Sequence, residues 1–275
     1  MLTPEAQFQL DRFLHTVAVS TVSLLMLDYD GTLAPFQRKR DQALPYPGVV
    51  TILQELIRTG RTRLIIVSGR YADEIATLLD LHPRPEVWGL HGLQRSKCDG
   101  STEIPHLDAH VLDALSDADR WLISQQLQHA AESKFGSRAV HWRGLSEQES
   151  QEVRSRVLLG WKPIAQHAGL DLLEFDGGIE IRVSHRDKGD AVRALLREAG
   201  PNTPAAYLGD DLTDESAFRA MRDRGLSLLV RPKWRRTAAQ AWIKPPEELL
   251  EFLNRWLEAC RGRTDLGRTA WAVNR

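Results

Sequence analysis

Short apolar runs alternate with longer amphipathic segments along most of this 275-residue chain. The apolar runs are too short to span a membrane as helices, and they suit strands that are buried on both faces. They predict strands at 24–27, 63–67, 87–92, 205–208 and 226–230, and a short strand near Trp242. The amphipathic segments predict helices at 4–18, 48–59, 190–199 and 246–259, and one that ends at Leu79. This alternation predicts a parallel α/β sheet with right-handed crossovers.

The middle of the chain has a different pattern. Helical periodicity at 107–134 and 146–168 flanks a strand-like stretch at 138–143. Two further strand-like runs, 172–175 and 179–183, surround the hairpin signal Asp176-Gly177-Gly178, and Asp99-Gly100 marks a similar hairpin within 93–105. This α+β pattern interrupts the α/β pattern and predicts an inserted cap domain at 106–184. The core domain would then consist of residues 1–105 and 185–275.

The composition is that of an ordinary soluble globular protein, with 42% apolar and 27% charged residues. The net charge of −1 gives no indication of nucleic acid or a membrane surface as a partner. Cys98 and Cys260 form neither a metal-type pair nor a disulfide framework, which fits a reducing compartment. The first 13 residues lack the features of a signal peptide, so we expect a cytoplasmic location. The basic tail at 261–275 is expected to be loosely ordered.

Two carboxylates, Asp28 and Asp30, follow the strand at 24–27. Residues at i and i+2 of a strand end start on the same side of the pleat. Burying two like charges close together is costly unless a cation lies between them or one carries a proton. The stretch therefore indicates a divalent metal, acid–base chemistry or both. An Asp-Gly turn with a spare aspartate is the simpler alternative.

Polar residues also mark other strand ends and one helix start. Ser68 follows the strand at 63–67, Lys188 precedes the helix at 190–199, and Asp210 and Asp214 follow the strand at 205–208. Each of them alone has an ordinary explanation as a turn, a solvated charge or the opening of a helix. In a parallel sheet, however, all of them would lie at the same edge as Asp28.

Such a set of residues is suited to phosphoryl transfer, which needs mainly positioning and charge compensation. Asp28, Asp210 and a backbone carbonyl are ligands of the kind that Mg²⁺ prefers. A carboxylate can be the nucleophile, while Ser68 and Lys188 would hold the remaining phosphate oxygens. Asp30 would protonate the leaving alcohol and later deprotonate the attacking water.

These motifs resemble those of the haloacid-dehalogenase-like (HAD) phosphatases, with Asp-Tyr-Asp-Gly-Thr at 28–32, Ser68, Lys188 and Gly-Asp-Asp-Leu-Thr-Asp at 209–214. The match is tighter to the trehalose-6-phosphate phosphatase branch. That branch shows Leu-Asp-Tyr-Asp-Gly-Thr-Leu-Ala-Pro as at 27–35, Val-Ser-Gly-Arg as at 67–70, Gly-Leu-His-Gly as at 89–92 and Tyr-Leu-Gly-Asp-Asp-Leu-Thr-Asp-Glu as at 207–215. The resemblance covers about residues 20–255. It implies a Rossmann-like parallel-sheet core with an inserted, mobile α/β cap domain.

The resemblance also implies a Mg²⁺-dependent enzyme that hydrolyses trehalose 6-phosphate through an aspartyl-phosphate. Asp28 would be the nucleophile and Asp30 the general acid and base, with Ser68 and Lys188 completing the catalytic set. Asp28, the Asp30 carbonyl and Asp210 would hold Mg²⁺, supported by Asp214. The implied substrate-binding residues are Thr32 and Arg70 in the core motifs and His141, Trp142, Arg143 and Glu180 in the cap, where Lys134 precedes them.

Three positions depart from the family pattern, and we expect all three to lie where the sugar is recognised. Tyr is replaced by Trp142, Glu by Gln94 and Pro by Val183. The chemical step is unaffected, but a phosphatase for another glycosyl or hexose phosphate is an alternative. Core packing is an alternative for Trp142, and His91 could be a strand-end histidine without a direct role. The segment 234–236 is interpreted as a surface loop.

Two other functions stay open at this point. A catalytically silent regulatory module would bind a sugar phosphate or a trehalose-phosphate synthase, yet it would be free to lose Asp28 or Asp30, and both are present. A phosphomutase would also use an aspartate nucleophile, and product analysis distinguishes it from a phosphatase. The expected partners are a small-molecule sugar phosphate and a trehalose-phosphate synthase.

Overall fold

The computed structural model describes residues 4–37, 40–175, 177–184 and 186–262. Its strands, in chain order, are β1 (Ser23–Leu27), β2 (Thr62–Val67), β3 (Glu86–Gly89), β4 (Gln94–Ser96), β5 (Thr102–Glu103), β6 (Ala131–Lys134), β7 (Ser137–His141), β8 (Leu170–Phe175), β9 (Gly178–Val183), β10 (Ala205–Gly209), β11 (Leu226–Val230) and β12 (Ala241–Ile243). Its α-helices are α1 (Pro4–Val19), α2 (Val49–Thr59), α3 (Ala72–Leu79), α4 (Ala109–Ser124), α5 (Glu147–Ala168), α6 (Lys188–Ala199), α7 (Glu215–Met221) and α8 (Glu247–Cys260).

The larger sheet has the strand order β12-β11-β10-β1-β2-β3-β4-β5. The strands from β12 to β3 pair in parallel, whereas β4 and β5 pair antiparallel at the edge. The predicted parallel α/β core is therefore confirmed, together with the hairpin within 93–105. Because β1 lies at the centre, its carboxyl end has β10 on one side and β2 on the other.

Side chains of β1 alternate between two apolar layers. Leu25 and Leu27 pack in a cluster with residues of α1, α2 and α8. Leu24 and Met26 pack in a second cluster with residues of α6 and α7. Since all of these side chains are fully buried, the central strand is apolar on both faces, as its unbroken apolar run predicts.

The smaller sheet is antiparallel, with the order β6-β7-β9-β8. Helices α4 and α5 cover it, and the buried ring of Trp161 lies in the cluster between them and the sheet. The pairing of β8 with β9 confirms the predicted hairpin, of which Asp176 lies outside the described residues.

The helix expected at 107–134 is wrong in its second half. Helix α4 ends at Ser124, and residues from Ala131 to Lys134 form β6, which pairs antiparallel with β7. The chain leaves the helix at Gln126, whose φ is +59°. No Gly or Pro marks this point, so the apolar periodicity continues through the break and predicts a longer helix.

The strand expected at 87–92 is shorter in the structure. Strand β3 ends at Gly89, and a 3₁₀ turn over Leu90–Gly92 follows, with Leu90 and His91 in the left-handed region at φ +52° and +56°. Of the predicted tail at 261–275, only residues 261 and 262 belong to the described part of the chain. Within that part, no helix is long and apolar enough to cross a membrane.

Candidate active site

Asp28 lies directly after β1, where the chain makes a tight turn. The carbonyl of Tyr29 accepts hydrogen bonds from the amides of residues 32–34, and the Gly31 amide donates to the carbonyl of Ala34 at 2.7 Å. Gly31 has φ +80°, and a Cβ there would collide with the carboxylate of Asp210. Only glycine fits this position, so the turn after β1 lies close to Asp210 at the end of β10.

Lys188 is the first residue of α6 and faces the same edge of the sheet. Its ammonium is 3% exposed and donates hydrogen bonds to Asp28 and Asp214, both at 2.7 Å. Burial disfavours the charged form, but the charges of Asp214 and Asp28 outweigh it and raise the pKa of Lys188. Lys188 therefore stays positively charged beside Asp28.

Asp28, Asp210 and Asp214 form a buried acidic cluster, with one carboxylate oxygen from each lying within 4.8 Å of the others. Burial raises the pKa of Asp28 to about 7, against the opposing charge of Lys188. Burial and the charges of Asp28 and Asp214 raise the pKa of Asp210 well above its usual range. One ammonium does not balance three carboxylates, so this donor set fits a divalent cation that prefers oxygen ligands, such as Mg²⁺.

Asp214 is surrounded by hydrogen-bond donors from the protein itself. One oxygen accepts from Lys188 and from the hydroxyl of Tyr207, the latter at 2.5 Å. The other oxygen accepts from the backbone amides of Asp210 and Asp211 at 3.0 and 2.9 Å. These bonds fix the loop after β10, and they fit the supporting role expected for Asp214 better than a direct metal contact.

Asp30 pairs with Arg70 through two parallel hydrogen bonds, from Nε at 2.7 Å and from Nη2 at 2.6 Å. Arg70 is 3% exposed, so the pair holds the Asp30 carboxylate in one orientation.

The hydroxyl of Ser68 accepts a hydrogen bond from the Arg70 amide at 3.2 Å. Thr32 donates to Asp28 at 3.2 Å. Neither Ser68 nor Thr32 is among the described residues that line the cavity in front of Asp28.

That cavity has a volume of about 800 Å³ and lies between the two sheets. On the side of the larger sheet it is lined by Asp28, Asp30, Arg70, Lys188 and Asp210. On the side of the smaller sheet it is lined by Lys134, His141, Arg143 and Glu180. The structure thus brings an acidic cluster and a set of polar side chains from the smaller sheet to one space.

A family model described as trehalose-phosphatase matches residues 26–240. The chain belongs to the trehalose-phosphatase family. A relative named trehalose-6-phosphate phosphatase, from Escherichia coli (strain K12), is 30% identical over 202 residues, which cover 72% of this chain and 73% of the relative.

Solved structures show the same fold. The C-terminal domain of a C. albicans trehalose-6-phosphate phosphatase has a TM-score of 0.77 at 19% identity, covering 90% of this chain and 96% of that domain. A haloacid-dehalogenase-like hydrolase from B. subtilis has a TM-score of 0.55 at 16% identity, covering 85% of this chain and 99% of that one. The protein is therefore an enzyme of the phosphatase class with an HAD-like fold.

In this trehalose-phosphatase family member, two predicted substrate-binding residues of the smaller sheet, His141 and Glu180, have polar neighbours in the protein. His141 lies 3.0 Å from a carboxylate oxygen of Glu132. Glu180 is 3% exposed, and its Oε2 lies 3.8 Å from Nε2 of His91 and 3.8 Å from Nη1 of Arg182. The other oxygen, Oε1, is buried with no hydrogen-bond partner among the described residues. Buried carboxylate oxygens normally accept a hydrogen bond, so Oε1 of Glu180 is suited to accept one from a hydroxyl group of a ligand.

The side chain of Trp142 faces away from the cavity, unlike those of His141 and Arg143 on either side of it in sequence. His141 and Arg143 line the cavity, whereas the ring of Trp142 packs against the apolar cluster under the smaller sheet. Residues at i and i+2 share a face along an extended chain, and the residue between them faces the other way. A role for Trp142 in substrate binding stays a prediction, and this geometry supports the alternative of core packing.

Gln94 and Val183, two of the three departures from the family pattern, do not line this cavity, so their expected role in sugar recognition stays a prediction. The side-chain oxygen of Gln94 accepts a hydrogen bond at 2.8 Å from the amide of Ala72, the first residue of α3. Val183 packs against the apolar cluster of the smaller sheet. Gln94 therefore serves the start of α3, and Val183 serves the packing of the smaller sheet. Neither is among the described residues that line the cavity.

Two residues that bond to the acidic loop after β10, Tyr207 and Arg235, are not among the site residues predicted from the sequence. Tyr207 occupies an ordinary strand position, and its bond to Asp214 depends on the loop that follows. Arg235 was placed in a surface loop, yet its side chain is 17% exposed and donates to the carbonyl of Asp211 at 2.7 Å. It also pairs with Glu215 at 2.5 Å. Arg235 thus fixes the acidic loop from behind, and no local sequence signal indicates this.

Proposed function

We propose that this protein hydrolyses trehalose 6-phosphate to trehalose and phosphate through a phosphate ester on Asp28. The observation that carries the proposal is the shared cavity, in which the Asp28 cluster faces polar side chains of the smaller sheet. Family membership supports the reaction class. The alternative is the same chemistry on another sugar phosphate, because Trp142, which departs from the family pattern, lies between His141 and Arg143, and both of these line the cavity.

In the first step, a carboxylate oxygen of Asp28 attacks phosphorus, and the bond from phosphorus to the sugar oxygen breaks. Asp30 supplies the proton that the leaving alkoxide needs. The ammonium of Lys188, fixed at 2.7 Å from Asp28, compensates negative charge on the phosphoryl oxygens. Arg70 orients Asp30, so the acid reaches the leaving oxygen in a defined geometry.

In the second step, water attacks phosphorus, Asp30 removes its proton, and the bond from phosphorus to Asp28 breaks. Mg²⁺ would be held by Asp28, Asp210 and the carbonyl of Asp30. When bound, such an ion neutralises charge on the transferring phosphoryl group. Asp214 keeps Lys188 and the loop after β10 in place during both steps.

Sugar recognition is assigned to the smaller sheet. The unpartnered oxygen of Glu180 would accept a hydrogen bond from a hydroxyl of the sugar. Lys134 and His141 line the same wall of the cavity and provide further polar contacts. Because these groups lie outside the acidic cluster, substrate choice and the chemical step are carried by different residues.

The domain division follows from this assignment. We infer a core at 1–105 and 185–275 and a cap at 106–184, with the cavity between them. The smaller sheet and helices α4 and α5 all fall inside the proposed cap. A trehalose-phosphate synthase partner and a cytoplasmic location stay predictions.

The decisive experiment measures phosphate and free sugar released from a panel of sugar phosphates. The panel contains trehalose 6-phosphate, glucose 6-phosphate, sucrose 6-phosphate and a small aryl phosphate, with Asp28→Asn protein as the control for contaminating phosphatases. We expect kcat/KM for trehalose 6-phosphate to exceed the others by about tenfold or more. A preference for another sugar would favour the alternative, and an isomerised sugar phosphate would indicate a mutase.

A further inference from the structure

Phe36 connects the nucleophile loop to the smaller sheet. Its ring is 41% exposed and lines the cavity, a few residues after the turn that carries Asp28. The guanidinium carbon of Arg143 lies 4.3 Å from the centroid of that ring. This distance is well within the range of a cation–π contact, so the core and the proposed cap touch at a point beside the phosphate site.

On the core side, the ring lies against the backbone of the nucleophile turn. The turn returns the chain through the hydrogen bond from the Gly31 amide to the carbonyl of Ala34, and Phe36 folds back over it. A Cβ on Gly31 would lie 2.7 Å from Cε2 of the Phe36 ring. The ring therefore rests directly on Gly31, the glycine next to Asp30.

On the other side, Arg143 lies against the β8–β9 hairpin. A Cβ on Gly177 would lie 2.7 Å from Nε of Arg143 and 3.0 Å from its Cδ. Gly177 has φ +85°, and its carbonyl accepts a hydrogen bond from the amide of Trp142 at 2.9 Å. The four residues Gly31, Phe36, Arg143 and Gly177 thus form one continuous layer from the nucleophile turn to the hairpin, here called the Phe36 stack.

Other contacts also join the smaller sheet to the larger one. Glu180 lies 3.8 Å from His91, and β8 contacts the turn Leu212–Asp214 after β10. A Cβ on Gly136 would fall 2.5 Å from a methyl carbon of Leu93, and the Phe135 amide donates to the hydroxyl of Tyr71 at 3.0 Å. Gly136 also lies beside Val183 and Leu107, which border the two chain segments that connect the sheets. These contacts use none of the residues of the Phe36 stack, so the stack is a separate point of attachment across the cavity.

We propose that Phe36 is a positioning residue, which holds Arg143 and the β8–β9 hairpin over the phosphate end of the cavity. The proposal rests on the proposed function and assigns a part of substrate selection to a core residue outside the HAD motifs. A sugar phosphate must fit under the hairpin that the stack holds in place. A small aryl phosphate reaches Asp28 without contacting that hairpin.

The first test compares Phe36→Leu with Phe36→Tyr. Leucine keeps an apolar side chain but removes the aromatic face, whereas tyrosine keeps the face. We expect Phe36→Leu to lower kcat/KM for trehalose 6-phosphate about three- to tenfold and to change the value for the aryl phosphate less than about twofold. Phe36→Tyr should stay within about twofold of wild type on both. Equal losses on the two substrates, or none on either, would overturn the proposal.

The second test asks whether Phe36 acts through Arg143. Phe36→Leu is combined with Arg143→Ala, and kcat/KM for the sugar phosphate is measured for both single variants and the double variant. We expect the double variant to lose no more than about twofold beyond Arg143→Ala. If the two losses multiply, the residues act independently and the positioning role is wrong.

The third test requires no substrate and therefore remains valid even if trehalose 6-phosphate is not turned over. Amide hydrogen exchange of the β8–β9 hairpin is measured in the full chain for wild type and Phe36→Leu. We expect the exchange to become several-fold faster in the variant. Phe8→Leu is the matched control, because Arg12 lies over the Phe8 ring at 5.9 Å on α1. Unchanged exchange in Phe36→Leu would contradict the proposal.

Discussion

Lys188 donates a hydrogen bond of 2.7 Å to Asp28 across 160 positions of sequence. The same ammonium is bonded to Asp214, so one cation links the turn after β1, the start of α6 and the loop after β10. The turn after β1 precedes the smaller sheet in sequence, whereas α6 and the loop after β10 follow it. The Lys188 ammonium therefore offsets part of the negative charge of the site and also joins these segments.

Replacing Asp28 with asparagine should abolish turnover while the fold persists. The change keeps the shape but removes the attacking oxygen charge, and kcat should fall by about a thousandfold or more. The acidic cluster loses one of its like charges, so the thermal midpoint should not fall. Kinetics and thermal melting are measured together, with Asp117→Asn on the outer face of α4 as the control. A kcat within about tenfold of wild type would exclude Asp28 as the nucleophile.

Removal of divalent cations should abolish activity, and Mg²⁺ should restore it. Ca²⁺ should support little turnover, because it prefers more ligands at longer distances. The binding itself is checked by melting, since Mg²⁺ should raise the thermal midpoint of the wild type by mass action. Asp210→Asn should weaken this rise. Full activity after exhaustive chelation would show that the acidic cluster serves another purpose.

Glu180→Ala should reduce hydrolysis of the sugar phosphate and leave the chemical step intact. Losing one hydrogen bond to a charged group costs about 1.5–3 kcal/mol, which corresponds to roughly a tenfold to hundredfold loss in kcat/KM. A small aryl phosphate has no hydroxyl for Glu180 to bind and should be hydrolysed nearly as before. Glu174→Ala is the control, because Glu174 lies on the paired strand β8 and bonds Arg154 instead. Equal losses on both substrates would assign Glu180 to the fold.

Gln94→Leu should lower stability without changing substrate preference. It leaves the amide of Ala72 without its acceptor at the start of α3, at a cost of about 1–3 kcal/mol. The thermal midpoint should fall by about 2–9 °C. Gln94→Glu should preserve the acceptor, and a carboxylate is favourable near a helix N-terminus. If the ratio of kcat/KM between trehalose 6-phosphate and glucose 6-phosphate changes in Gln94→Leu, Gln94 contributes to substrate binding and the structural role alone is wrong.

The central part of the fold could be predicted because its physical causes are local. The apolar run before Asp28 is fully buried, and its length and lack of polar interruption already indicate a central strand. Parallel topology then brings Asp28, Lys188 and Asp210 to one edge, as expected, and all three line one cavity. Each of these steps needs only the order of strands and helices along the chain.

The rest depends on contacts that no local pattern encodes. Helix α4 ends where Gln126 adopts a left-handed conformation, although the residue itself gives no stop signal. Arg70 could be placed near the site from its motif, but its two bonds to Asp30 are set by how two strand ends meet. The same holds for Phe36, whose ring lies against Gly31 on one side and against Arg143, from a distant part of the sequence, on the other.

The position of β1 has a consequence for synthesis on the ribosome. β1 pairs with β2, which follows soon in sequence, but its other edge pairs with β10 at Ala205–Gly209. Until that segment emerges, a growing chain exposes one open edge of its most apolar strand, and such edges attract other chains. The inserted segment can form its own antiparallel sheet during this interval. The smaller sheet lies wholly before β10 in sequence and can therefore form early, whereas the acidic cluster around Asp28 is complete only after β10, Asp210 and Asp214 have emerged.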